Sequence, residues 1–222
     1  YKATDNAKEE FIGCDTVSVD KDKRIVGFEK NRGKYKVRNV SLEAYVMTKK
    51  LFLDLVRKAA NTSSLYWFKD ILADSCEDLR IVGYPYKGKV YCINSLRSYF
   101  KANLDLRSYS NAKELFKEDW PIHTRTNDSA PSQYMPGARI RGCLISNGCH
   151  IEGEVENCVI GRNVIVKKGA VVKNCVILPG AYIGEGAKLD RVIVDKAAIV
   201  NHVKKLIGTD DSPIYVKRRD RI

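Results

Sequence analysis

The chain has 222 residues, 44% of them hydrophobic and 30% charged, with a formal net charge of +12. That length holds one or two domains of ordinary globular composition, and no apolar run approaches the roughly 20 residues of a membrane-spanning helix, so no membrane partner is expected. The positive excess is spread over both halves and clusters only at residues 217–221, which argues against a nucleic-acid arm and suits anionic metabolites or a solvated lysine-rich surface.

The seven cysteines include no C-x-x-C pair, so no metal site is expected from them. Without a secretory signal before the first strand-like segment, they point to a reducing cytoplasm. The chain opens on Tyr1 in a polar segment, and the protein is expected to extend further upstream.

In chain order, C14-D-T-V-S-V-D20 alternates like a strand. A charged turn at 20–23 leads to a partner strand, R24-I-V-G-F-E29, so a hairpin is predicted. V40-S-L-E-A-Y-V-M47 is β-rich. Residues 49–60 place Leu51, Leu55 and Val56 on one face of a helix, and residues 66–75 form a second helix candidate. Residues 79–86 and 89–93 are expected as strands. Residues 95–106 form a helix capped by Ser95, with Leu96, Tyr99, Phe100 and Leu104 inward. A polar stretch over 109–136, with Trp120-Pro121, is expected as a linker carrying a docking aromatic.

The most informative stretch follows, from 137 to the end. Ile145 and Ile151 stand six apart, as do Ile160, Val166 and Val172, then Ile177, Ile183 and Leu189, then Val194 and Val200. Small or β-branched residues follow many of these four positions later, among them Cys149, Val164, Ala170, Ala181, Ala187 and Ala198. An apolar residue every six positions is the signature of a hexapeptide β-helix, here expected as a left-handed parallel one. The blocks beginning at Cys143, Cys158, Cys175 and Val192 recur at spacings of 15, 17 and 17, close to three hexads. Their first residues are expected to stack as a ladder of small buried hydrophobes. The predicted fold class is thus α/β followed by all-β.

Several motifs in one order carry a resemblance. They are F28-E-K30, S41-L-E-A-Y45, F68-K-D-I71, S98-Y-F-K-A-N-L-D-L106, D119-W-P-I-H-T124, V155-E-N-C-V-I160 and V192-I-V-D-K196. Together with the hexads they resemble the bacterial ADP-glucose pyrophosphorylase (glucose-1-phosphate adenylyltransferase) family over nearly the whole chain. The resemblance implies that residues 1–108 are the C-terminal part of a Rossmann-like nucleotidyltransferase domain, 109–136 a linker and 137–222 the β-helix domain. It also implies that the half carrying the nucleotide loop and one magnesium-binding Asp lies upstream.

The resemblance assigns residual substrate-binding roles to Glu29, Lys30, Ser41 and Tyr45. It marks Lys188, Arg191 and Lys196 for an effector such as a sugar phosphate or nucleotide sugar. The departures fall at chemical positions. The family's second magnesium-binding Asp is Cys92, so no catalytic or metal-binding residue is assigned in this chain, although active members use Mg²⁺. An Asp that helps position glucose 1-phosphate is Tyr66. A family Gly is Glu43, and a Pro is Asn31.

That pattern is most similar to the regulatory, non-catalytic GlgD-type subunit. It implies a cytoplasmic partner of a catalytic glucose-1-phosphate adenylyltransferase subunit, in a homo- or hetero-oligomer such as a tetramer, with no nucleic-acid partner. Two alternatives stand beside it: an active adenylyltransferase with a divergent metal site, and a hexapeptide acyltransferase using His150 or His202 as general base.

Overall fold

The computed structural model describes residues 1–222. Its internal contacts divide the chain into two compact units, Tyr1–Cys92 and Ile93–Ile222. No helix is long and apolar enough to cross a membrane.

The first unit is built on four antiparallel strands, β1 (Lys2–Thr4), β2 (Asp15–Val19), β3 (Ile25–Lys30) and β4 (Arg38–Val40), in the order β1-β4-β2-β3. The predicted hairpin is β2–β3. Asp20 Oδ1 accepts the amides of Asp22 and Arg24 at 2.9 and 2.8 Å, and Lys23 takes the left-handed conformation that tightens the turn. Helices α1 (Lys49–Thr62) and α2 (Phe68–Asp74) follow. Thr48 caps α1 by accepting the Leu51 amide at 3.3 Å, and Asp70 receives the Trp67 amide at 2.9 Å at the start of α2. One face of each helix supplies the core of Leu55, Ala59, Ile71 and Leu72.

Two expected strand segments are not strands. In residues 40–47 only Val40 enters the sheet. The Ser41 amide still bonds Asp15 O at 2.8 Å, but Glu43 then turns the backbone to φ 53°, which ends any ladder. Residues 79–93 touch the sheet only at an isolated antiparallel bridge, Arg24 to Val82, and where Tyr1 exchanges bonds with Tyr84 O and the Tyr86 amide. Pro85 has no amide to donate, so the contacts do not extend into a ladder.

The second unit begins with α3 (Leu96–Asp105) and α4 (Tyr109–Leu115). Ser95 caps α3 by accepting the Ser98 amide at 3.1 Å. A parallel β-helix follows in five tiers of three strands. The first tier is β5 (Gln133–Tyr134), β6 (Arg139–Arg141) and β7 (Leu144–Ile145), and the second is β8 (His150–Ile151), β9 (Glu154–Glu156) and β10 (Val159–Ile160). The third is β11 (Ile165–Val166), β12 (Val171–Lys173) and β13 (Val176–Ile177), and the fourth is β14 (Tyr182–Ile183), β15 (Lys188–Asp190) and β16 (Val192–Val194). The last is β17 (Ile199–Val200), β18 (Lys205–Ile207) and β19 (Ile214–Val216). Like strands of successive tiers pair in parallel, giving three five-stranded walls.

The hexad residues Ile151, Ile160, Val166, Val172, Ile177, Ile183, Leu189, Val194 and Val200 fill the interior, with the small residues stacked between them. The cysteine ladder forms as the spacing predicts. The amide of Cys158 donates to Cys143 Sγ at 3.4 Å, that of Cys175 to Cys158 Sγ at 3.3 Å, and that of Val192 to Cys175 Sγ at 3.4 Å. Just before each rung the chain turns a corner in the left-handed conformation, at Gly142, Asn157, Asn174 and Arg191. Gly and Asn are the residues that tolerate this backbone best.

Two findings revise the middle of the chain. The first β-helix strand lies at Gln133–Tyr134, and α4 also falls within the stretch read as linker. Trp120 is 72% exposed and is not a docked aromatic. Helix α3 instead supplies the docking ring. Phe100 is buried against Val176 and Ile193, on the outer face of the wall that contains β13 and β16. Arg97 ties the same helix to Asp211 at 2.9 Å, and Arg107 donates to Gly142 O at 2.7 Å.

Candidate functional site

The β2–β3 register places Asp15 directly opposite Lys30. Their side chains lie 3.8 Å apart, and Lys69, from the first turn of α2, reaches the other oxygen of Asp15 at 3.3 Å. Asp15 is mostly buried, whereas both lysines are partly exposed. The hydrogen bond to Asp15, reinforced by its charge, pushes Lys69 above the usual lysine value. One carboxylate therefore holds two ammonium groups side by side, a geometry that leaves a net positive charge at the surface.

Ser41 and Tyr45 flank this cluster. Burial raises the Tyr45 phenol most, and the neighbouring Glu43 and Asp15 carboxylates add to that, against Ser41 and Lys69. Tyr45 stands edge-on to Phe68 at a centroid distance of 6.0 Å. Of the four residues marked for substrate, the fold thus gathers Lys30, Ser41 and Tyr45 around Asp15. Strand alternation sends Glu29 to the other face, where it pairs with Arg38 at 3.2 Å. There it helps line an open cavity of about 200 Å³ with Lys30, Asn31, Arg32, Lys34, Tyr35 and Arg38. Arg38 lies over the Tyr35 ring at 4.1 Å from its centroid. With the Lys30 ammonium turned to Asp15, the side chains of Arg32, Lys34 and Arg38 against Glu29 still make this cavity basic.

Asp15 and Lys69 are the residues that reading the sequence missed. Both were legible in principle: counting back from the 20–23 turn pairs Asp15 with Lys30, and Lys69 lies inside the F68-K-D-I71 motif.

The departures acquire physical reasons. Asn31 is buried. Its side-chain amide donates to Ala7 O and Phe11 O, both at 2.7 Å, and its backbone amide donates to Cys14 O at 2.9 Å. A proline could make none of these bonds. Glu43 occupies a left-handed position at φ 53°, the conformation that glycine enters without steric penalty. Tyr66 packs its ring against the Leu55, Ala59, Ile71 and Leu72 core.

Cys92 faces sulfur. Its Sγ lies 3.2 Å from the Sγ of Cys14, and burial with this sulfur contact pushes the Cys14 thiol up to about 12. Magnesium takes oxygen ligands. Two facing thiols, with the adjacent Asp15 engaged by two lysines, do not fit it.

The residues marked for an effector all belong to the fourth tier or the turn that follows it. Lys188 lies on the outer face of β15, Arg191 at the following corner, and Lys196 in the turn after β16. Arg191 is engaged by Asp190 at 2.7 Å and Asp210 at 2.8 Å. As for the histidines, His150 lies 3.0 Å from Glu152, which Lys167 also engages, while His202 is exposed and its amide bonds Ile222 O.

Comparison with known proteins agrees with this architecture. Residues 132–213 match the family model of the GlmU-like C-terminal hexapeptide domain. The chain is 28% identical over 211 residues to the glycogen biosynthesis protein GlgD of Bacillus subtilis (strain 168), an alignment covering 95% of this chain and 57% of that protein. It is 36% identical over 126 residues to a glucose-1-phosphate adenylyltransferase of Corynebacterium jeikeium (strain K411), covering 56% of this chain and 31% of that one. A glucose-1-phosphate adenylyltransferase of Bacillus cereus (strain Q1) is 28% identical over 188 residues, covering 83% and 50%. The chain spans about half the length of the curated relatives it matches. With its N-terminal α/β unit followed by a hexapeptide β-helix, the chain is thus similar to GlgD over nearly its whole length and to glucose-1-phosphate adenylyltransferases over most of it.

Proposed function

We propose that the chain belongs to a non-catalytic, regulatory subunit of glucose-1-phosphate adenylyltransferase, acting in ADP-glucose and glycogen synthesis with a catalytic subunit. The observation that carries this reading is the Cys14–Cys92 contact at 3.2 Å, which puts paired thiols where catalytic relatives are expected to hold a magnesium-binding carboxylate. Phosphoryl transfer depends on metal ions to neutralise developing charge, and a pair of cysteine sulfurs is a poor ligand set for magnesium.

What the first unit retains is charge for binding. Lys30 and Lys69 around Asp15, with Ser41 and Tyr45 beside them, suit a sugar phosphate held without turnover. A lysine holds phosphate as a point charge and needs no bidentate geometry. The relatives named GlgD and glucose-1-phosphate adenylyltransferase support the pathway, and the mixed assembly follows from the regulatory role.

The test is ADP-glucose synthesis by the full-length protein, alone and mixed with a catalytic subunit from the same organism. No turnover alone, with a changed rate or substrate affinity in the mixture, supports the proposal. Robust turnover alone overturns it in favour of an active adenylyltransferase.

A further inference from the structure

Three of the seven cysteines are not buried: Cys14, Cys92 and Cys143. The sulfur of Cys143 is occupied within the β-helix, bonding Arg141 O at 3.2 Å and Val155 O at 3.4 Å. The other two face each other, Sγ to Sγ at 3.2 Å, although they stand 78 positions apart in sequence. Backbone bonds fix Cys14 and its predecessor: Gly13 donates to Asn31 O at 2.8 Å, and Asn31 donates to Cys14 O at 2.9 Å. The buried Asn31 side chain braces the same loop from below.

We infer that Cys14 and Cys92 are a reversible dithiol–disulfide site, oxidised by low-molecular-weight disulfides such as oxidised glutathione. The Cys92 thiolate attacks one sulfur of the small disulfide, whose S–S bond breaks and expels a thiolate. The Cys14 thiol then loses its proton as its sulfur attacks the Cys92 mixed disulfide, and a second small thiolate leaves. The two protons end on the two departing thiols, so the protein loses two electrons and the small disulfide gains them. Cys14 is the resolving thiol, because burial and the neighbouring sulfur hold its proton tightly until that attack.

Such a bond is suited to a reducing compartment, where disulfides form transiently as sensors and are not permanent staples. It ties the end of the 79–92 segment to the residue preceding Asp15, and so fixes the carboxylate that holds Lys30 and Lys69. The inference does not depend on whether the protein is regulatory or catalytic.

The experiment is thiol mapping of the purified protein incubated with oxidised glutathione, quenched in acid, alkylated and digested. The expected result is loss of two alkylatable thiols, a Cys14–Cys92 linked peptide, and full reversal by dithiothreitol. Cys14→Ser should then trap glutathione on Cys92, with its circular dichroism unchanged. Separate glutathione adducts on both residues with no linked peptide, or alkylation of both thiols throughout, would overturn the inference without touching the proposed function.

Discussion

The amide of Cys175 donates to the sulfur of Cys158 across one turn of the β-helix, at 3.3 Å, while that thiol donates to Glu156 O at 3.0 Å. The cysteine therefore does more than fill space, since its sulfur satisfies a buried amide that the wall's own ladder leaves over. Cys158→Ala leaves that amide without a partner and should destabilise the second unit by about 1–3 kcal/mol. Cys158→Ser, which keeps an acceptor, should lose less. Urea unfolding of the two variants gives the ordering, and equal losses would show that the sulfur acts only by volume.

Phe100 is 1% exposed on Val176 and Ile193. Removing the ring in Phe100→Ala should cost about 3–5 kcal/mol of α3 docking. Hydrogen exchange should show α3 amides losing protection while the interior strands β11 and β14 keep theirs. Loss of protection throughout would mean that the β-helix cannot stand without this helix.

Ala197 takes φ 56° at a corner where Gly180 fills the equivalent place one tier earlier. A left-handed residue with a Cβ costs roughly 1–2 kcal/mol, part of which glycine returns as chain entropy. Ala197→Gly should therefore raise stability by about 1 kcal/mol in chemical unfolding. The same reasoning predicts a gain for Glu43→Gly in the first unit.

Asn31→Ala removes three side-chain hydrogen bonds from a buried site, those to Ala7 O and Phe11 O and that from the Gly33 amide, while Phe11 O keeps the Cys14 amide. A loss of about 2–3 kcal/mol is expected for the first unit. Because Asn31 braces the Cys14 loop, the rate of alkylation at Cys14 should rise in the same variant.

Acid stability should report the Tyr215–Asp195 bond of 2.6 Å. Burial tends to raise Asp195, but the Tyr215 hydroxyl, the Lys196 amide and nearby cations outweigh it, and the group lies below the usual aspartate value of 3.8. A carboxylate whose folded value is depressed adds stability above its unfolded value, and loses it as pH falls through the folded one. Tyr215→Phe should shrink this contribution, flattening the fall in stability below about pH 4. Urea midpoints across that range for both proteins test the sign, and superimposable pH profiles would refute it.

Legibility in the sequence followed the physics of each unit. The β-helix declares itself because every tier repeats the same burial at a fixed spacing, so Ile160, Ile177 and Val194 could be stacked by counting. The β2–β3 hairpin was equally plain from its charged turn. Residues 79–93 looked like strands because their composition is β-prone, but composition does not reveal whether a partner edge is available. At the site, Lys30 was marked by its motif, while Asp15 and Lys69 needed the hairpin register and the helix position together. The Cys14–Cys92 contact joins residues too distant in sequence for any spacing rule to find.

The outer face of the β6–β9–β12 wall carries a row of opposite charges that run across the strands. Arg141 meets Glu156, and Lys173 meets both Glu154 and Glu156 at 3.1 and 3.2 Å. Each rung is one tier from the next, because the parallel register sets Arg141 beside Glu156 and Glu156 beside Lys173. A reversal of sign on this face is thus compensated only by a second change 15 or 17 positions away. A basic residue at 156 alone would stand between Arg141 and Lys173, three like charges stacked along the wall.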